Sequence, residues 1–243
     1  MLRFLEGIIM AKKVKKELTH SEIMVNKTES WIATHKNVII AAVAVAVVAI
    51  IAAVVITLVT DKSASSSDKA LASLETSYDD YQLMDADEEG YADKLASVKS
   101  DAEALVASAG LKKYAGAKAE LILAEIDYED GEYAAAAEKY AAVYSAQKDT
   151  YLGQVALMSE AAAVESSGDA DGALALYNEV FSVYGTEGIY ASRALFNAAR
   201  LTESSDKALA ISIYEQLVGE FEESGSEYAK LAKSRVSQLK AEN

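Results

Sequence analysis

The chain has 243 residues, 51% of them hydrophobic, and its 38 acids against 23 bases give a formal net charge of −15. It contains no cysteine, which excludes disulfides, thiolate metal sites, cysteine nucleophiles and lipoprotein anchoring. It also contains no proline, where average usage of about 5% would give roughly twelve, and with so much alanine the expected class is all-α.

The first element is a short basic segment, residues 1–36. Within it, residues 1–9 read as a translated ribosome-binding stretch, purine-rich codons at Glu6–Gly7 followed by Ile8, Ile9 and Met10, so translation is expected to begin at Met10. Next comes an apolar run over 37–60 whose one interior polar residue is Thr57. The 22 residues from Val38 to Val59, at about 1.5 Å each, make roughly 33 Å of helix against a hydrocarbon core of about 30 Å. A secretory signal has a shorter apolar region close to the N-terminus, whereas this run is longer and lies behind 36 residues. A buried soluble helix would show an amphipathic break. The expected element is therefore a permanent transmembrane helix, with lipid bilayer around 37–60. Arg3, Lys12, Lys13, Lys15, Lys16, Lys27 and Lys36 precede it, and Lys62 and Lys69 are the bases close behind it, so the N-terminus is expected inside. Trp31 and His35 fall at headgroup level. For a bacterial inner membrane this orientation puts the rest of the chain in the periplasm.

Charge divides at the same point. Residues 1–59 carry 7 bases and 4 acids, and residues 60–243 carry 16 bases and 34 acids. The exported part repels phosphates, so no nucleic-acid partner is expected.

A polar linker, 61–69, leads to a helix pair over 70–112. Leu71, Leu74, Tyr78 and Tyr81 share one side of the first helix, and Leu95, Val98, Ala102, Leu105 and Val106 share one side of the second. From 113 to 243 the sequence repeats with a period of 37. Blocks beginning at Leu121, Met158 and Leu195 superpose without a gap. Four further columns keep the register: Ala124, Ala161, Ala198; Ala136, Ala173, Ala210; Tyr140, Tyr177, Tyr214; and Val143, Val180, Leu217. Turns at Gly131, Gly168 and Ser205 break each block into two amphipathic halves. Each block is a helical hairpin that cannot bury its own face, so the hairpins must stack into a solenoid.

Leu123, Ala124, Tyr128, Gly131, Tyr133, Ala136 and Tyr140 form the best copy of a pattern that resembles the tetratricopeptide repeat, although the usual period is 34 and the usual closing proline is absent. Basic tail, span, helix pair and repeats together resemble the ancillary-subunit family of the bacterial SecYEG translocon, over roughly Thr19 to Tyr184. That resemblance implies a single-span inner-membrane protein whose partners are Sec translocon subunits, a periplasmic chaperone or exported chains. The tetratricopeptide resemblance implies a protein-binding groove lined by the first helix of each hairpin: Leu121, Glu125 and Tyr128; Met158, Ala162 and Glu165; Leu195, Ala199 and Thr202. Groove positions expected to hold Lys or Asn for a peptide carboxylate hold Leu121, Met158 and Leu195. An apolar strip in an acidic rim instead suits a partner helix or an unfolded, weakly basic segment. The competing reading is that these residues pack between neighbouring helices.

Catalysis finds little to use. The only histidines, His20 and His35, precede the span, so the exported domain has neither His nor Cys, and its serines lack a base. Acid pairs such as Asp79–Asp80 and Glu129–Asp130 read as solvated surface. Asp85, Asp87, Glu89, Gly90 and Asp93 follow the spacing of a calcium loop, but Ala96 stands where the bidentate Glu belongs, and a plain acidic loop is the preferred reading. The expectation is a non-enzymatic adaptor with no cofactor and no metal. The alternatives are a scaffold subunit of another envelope or periplasmic flagellar assembly, and a hydrolase with an unrecognised carboxylate site.

Overall fold

The computed structural model describes His35, Ala49, Ile50 and residues 66–241. The predicted span and the basic segment before it otherwise lie outside the described residues. Among the described residues, no helix is long and apolar enough to cross a membrane. The chain divides into two units, Met1–Lys62 and Ser63–Asn243, and the helices described below belong to the second.

That unit is all-α, with no strand among the described residues. Its helices are α1 (66–82), α2 (Tyr91–Ala109), α3 (Tyr114–Glu129), α4 (Tyr133–Gln147), α5 (Tyr151–Ser166), α6 (Ala170–Tyr184), α7 (Ala191–Thr202), α8 (Lys207–Phe221) and α9 (Glu227–Ala241). From α2 onward each helix packs on the next, and short connections make neighbours antiparallel. The first helices of successive hairpins also meet, α3 with α5 and α7 with α9.

Every residue of the five repeat columns is buried. Ala124 and Ala136 lie in one cluster with Tyr140, Val143, Leu152 and Ala156, which joins α3 and α4 to α5. The equivalent cluster one hairpin later joins Met158, Ala161, Ala173, Tyr177 and Val180 to Ala194 and Ala198 of α7. The last hairpin closes on Ala229, Ala232 and Leu239 of α9. The alanines let two helix backbones approach, and the tyrosine rings and Val or Leu fill the space beyond. Leu71, Leu74, Tyr78 and Tyr81 of α1 pack with Val98, Ala102 and Leu105 of α2 and with α3, so the helix pair begins the same stack.

The turns follow from local chemistry. Gly131 and Gly168 adopt φ of 81° and 94°; there the Glu132 N–H reaches the Asp127 carbonyl and the Asp169 N–H the Val164 carbonyl, closing the orphan carbonyls of α3 and α5. In the third hairpin Ser205 replaces the glycine and no left-handed residue occurs. That turn closes differently, with the Asp206 N–H on the Thr202 carbonyl at 2.8 Å. Asp169 and Asp206, one period apart, then cap α6 and α8 by accepting from the Gly172 and Leu209 N–H groups, both at 2.9 Å.

Between hairpins a second pair of contacts repeats. The Gln147 amide donates to the Leu111 carbonyl at 2.7 Å, and the Tyr184 hydroxyl donates to the Lys148 carbonyl at 2.8 Å. Both donor and acceptor stand one period apart. Gly116 and Gly153 also share a column, and a Cβ at either would lie 2.3 Å from the carbonyl oxygen of Gly110 or Gln147 respectively.

These close approaches give a stability test. Gly116→Ala and Gly153→Ala are each expected to cost about 1–3 kcal/mol. Gly219→Ala, in α8 with nothing within 4 Å of the added carbon, is expected to gain about 0.5–1 kcal/mol. Urea unfolding of the three variants checks both signs.

Candidate functional site

The nine predicted groove residues occupy three environments. Leu121, Met158, Leu195, Ala199 and Thr202 are buried. Leu121 packs toward α5, Met158 toward α7, and Leu195 and Ala199 toward α9, while the Thr202 hydroxyl donates to the Ala198 carbonyl at 2.8 Å. The apolar part of the strip is core between hairpins. Tyr128, Ala162 and Glu165 are half-buried, and Glu125 is exposed. The surface left open to a partner is therefore acidic and tyrosine-bearing.

Glu165 is itself structural. Its carboxylate accepts from the Tyr177 hydroxyl at 2.9 Å and from the Arg200 guanidinium at 2.6 Å. These contacts link α5, α6 and α7. Glu203 repeats the arrangement: it accepts from Tyr214 at 2.8 Å and from Arg235 Nε at 2.9 Å, and a second Arg235 nitrogen reaches its other oxygen. Tyrosine, carboxylate and arginine thus staple successive hairpins twice. Burial, then the adjoining carboxylate, pushes the Tyr177 and Tyr214 hydroxyls well above the usual phenol range. The hydrogen bonds from Arg235 hold Glu203 below the usual carboxylate range. Only the tyrosine column was visible as a repeat, because Glu165 and Glu203 stand 38 residues apart and Arg200 and Arg235 stand 35 apart.

Three exposed acids stand at the edge of the stack where α1 and α3 finish. Glu125, Glu129 and Asp130 lie there with Tyr78, Tyr81, Tyr128 and Tyr133. The Tyr78 hydroxyl donates to Glu125 at 3.5 Å, the Tyr128 hydroxyl stands 2.8 Å from that of Ser166, and the Tyr128 and Tyr133 rings meet edge-on at 5.1 Å. Burial, and then the charges of Glu125 and Asp130, raises the Glu129 carboxyl. The loop carrying Asp85, Asp87 and Glu89 turns back through hydrogen bonds from the Glu88 N–H to the Asp85 carbonyl and from the Tyr91 N–H to the Glu88 carbonyl. Among the described residues no group of three acids or histidines is arranged to hold a metal ion.

A second pair of carboxylates lies between α5 and α6. Glu179 accepts from the Tyr144 hydroxyl at 2.8 Å. Glu160, half-buried near it, is pushed up to about 7, first by burial and then by the Glu179 charge.

Comparison with known proteins adds no relative: no family model matches the chain, and no curated protein and no solved structure matches it.

Two carboxylates give opposite pH signs. Glu160 is raised in the folded state, so between its ordinary value and about 7 the folded chain holds a proton that the unfolded chain has lost. Stability then falls as pH rises through that window. Glu160→Gln is expected to raise the Tm at pH 8 and leave it nearly unchanged at pH 4. Glu203 is depressed, so its contribution is present above the ordinary carboxylate value and disappears as pH falls through its lowered one. Glu203→Gln is expected to cost stability at pH 7 and little at pH 2. Thermal melts across pH check both. At pH 7, Glu165→Ala is expected to cost about 1–3 kcal/mol through its stranded partners, whereas Glu125→Ala, which removes only the long bond from Tyr78 at 3.5 Å, is expected to cost less, about 0.5–1 kcal/mol.

Proposed function

We propose that this chain is a non-enzymatic, membrane-anchored interaction adaptor, with a tetratricopeptide-like hairpin array displayed in the periplasm. Its partners are Sec translocon subunits, and it helps exported chains reach a periplasmic chaperone. The observation that carries this reading is the stack of hairpins behind a predicted single span: a repeat surface built by stacking offers an extended face to another polypeptide. The exposed character of that face refines what it would hold. With Leu121, Met158 and Leu195 committed to the core, Glu125, Glu129 and the neighbouring tyrosines favour a weakly basic, partly unfolded segment over an apolar helix.

The test is mild-detergent purification of the full-length protein from its own membranes, beside a version whose residues 38–59 are replaced by poly-leucine, with mass spectrometry of what accompanies each. Translocon subunits and a periplasmic chaperone are expected with the natural chain. Their loss with the poly-leucine version would place recognition in the membrane. One envelope or flagellar complex in stoichiometric amount, without the translocon, would make the protein a scaffold of that complex and overturn the adaptor reading.

A further inference from the structure

At the end of the stack where α1 and α3 finish, an open cleft of about 180 Å³ is lined by Tyr81, Gln82, Met84, Tyr91 and Glu129. Its polar groups offer several acceptors. Gln82 uses one N–H of its amide on the Tyr78 hydroxyl at 3.0 Å, and its carbonyl oxygen is an acceptor. The Tyr81 and Tyr91 hydroxyls lie 2.8 Å apart, so one donates to the other, and the pair keeps lone pairs together with one O–H donor. Glu129 contributes two carboxylate oxygens and Met84 a soft sulfur. The rings of Tyr81 and Tyr91, 5.1 Å between centroids, form one wall.

The charges around the cleft are unbalanced in the same direction. Lys94 is paired with Asp80 at 3.2 Å and Lys99 with Asp130 at 3.1 Å, and among the described residues no ion pair holds Glu129. The carboxyl ends of α1 and α3, where residues 82 and 129 lie, add the negative ends of two helix dipoles, against the positive end of α2 alone. A ligand that satisfies this cleft must be positive, must bring several N–H donors and must tolerate an aromatic wall.

We infer that the cleft between α1, α2 and the end of α3 binds a guanidinium group, with Glu129 as the charge partner, the Gln82 carbonyl and tyrosine hydroxyls as further acceptors, and the rings of Tyr81 and Tyr91 alongside. Guanidinium fits better than ammonium because it is planar, carries five donors in a fixed fork and packs against aromatic rings. The group reaches the cleft either on an arginine side chain of a polypeptide or as a free guanidinium compound. The inference stands on the cleft and is independent of the translocon reading.

The experiment titrates full-length protein, labelled at its methionine methyls, with N-acetyl-arginine methylamide and, separately, with its uncharged citrulline counterpart. The arginine compound is expected to shift the Met84 methyl resonance saturably, with a Kd on the order of 1 mM for so small a ligand. The citrulline compound is expected to bind at least about tenfold more weakly, and Glu129→Gln to weaken arginine binding by about tenfold or more. Glu138→Gln, at an exposed acid on α4 away from the cleft, is expected to leave binding unchanged. A five-residue peptide with arginine at its centre separates the two sources. Tenfold tighter binding than the single residue identifies a polypeptide ligand, and equal binding identifies a free guanidinium compound. Equal binding of arginine and citrulline, an unaltered Glu129→Gln variant of unchanged Tm, or equal weakening by Glu138→Gln would each overturn the inference.

Discussion

Close approach of helix backbones at alanine positions is the constraint on which the rest depends. Ala124 against Ala136, and Ala161 against Ala173, leave room for the tyrosine one turn later to turn inward and bury its ring. A larger side chain at any of these positions would push the helices apart by more than the surrounding packing could absorb. The buried ring in turn brings a hydroxyl to the hairpin boundary, where it must find a partner. Glu165 and Glu203 supply one, and Arg200 and Arg235 neutralise them. The sequence of dependence runs from small residues, to aromatic burial, to the ionic staples between neighbouring hairpins.

The staples explain an uneven division of surface charge. Glu165 and Glu203 are occupied by arginine, and Asp127 is held by Lys139 at 2.5 Å. Among the described residues no ion pair holds Glu125 or Glu129. The ion pairs of Glu165 and Glu203 join successive hairpins, that of Asp127 joins the two helices of one hairpin, and Asp130 is held by Lys99 of α2. Partial desolvation beside other carboxylates raises Glu129 and Glu160, whereas Glu203 is lowered by the hydrogen bonds from its arginine.

Much of the fold was legible in the sequence because a period of 37 preserves both helix face and hairpin register. Columns at Ala124, Ala136, Tyr140 and Val143 marked the core, and the polar turn residues around Gly131, Gly168 and Ser205 marked where each hairpin reverses. The place of α2 in the same array was concealed by one residue: its buried Val98, Ala102 and Leu105 stand 38 residues before Ala136, Tyr140 and Val143. The groove was less legible. Helical spacing identifies residues that share a face, but it does not tell which neighbour covers that face, so for Leu121, Met158 and Leu195 an open groove and packing between neighbouring helices stood as competing readings, and the structure buries all three. The staples escaped for a different reason. Long side chains reach a common point from positions two or three residues out of register, which a search for aligned columns passes over.

The central functional claim is that the acidic, tyrosine-bearing end of the stack is where another polypeptide docks. A photo-crosslinking residue placed at Glu125 in the full-length protein, and separately at Tyr114 and at Tyr151, both exposed at the opposite ends of the first helices of their hairpins, tests it in native membranes. Crosslinks from position 125 to a translocon subunit, a chaperone or an exported chain, with none from 114 or 151, are the expected result. Crosslinks to the same partner from all three positions, or from 114 and 151 alone, would contradict it.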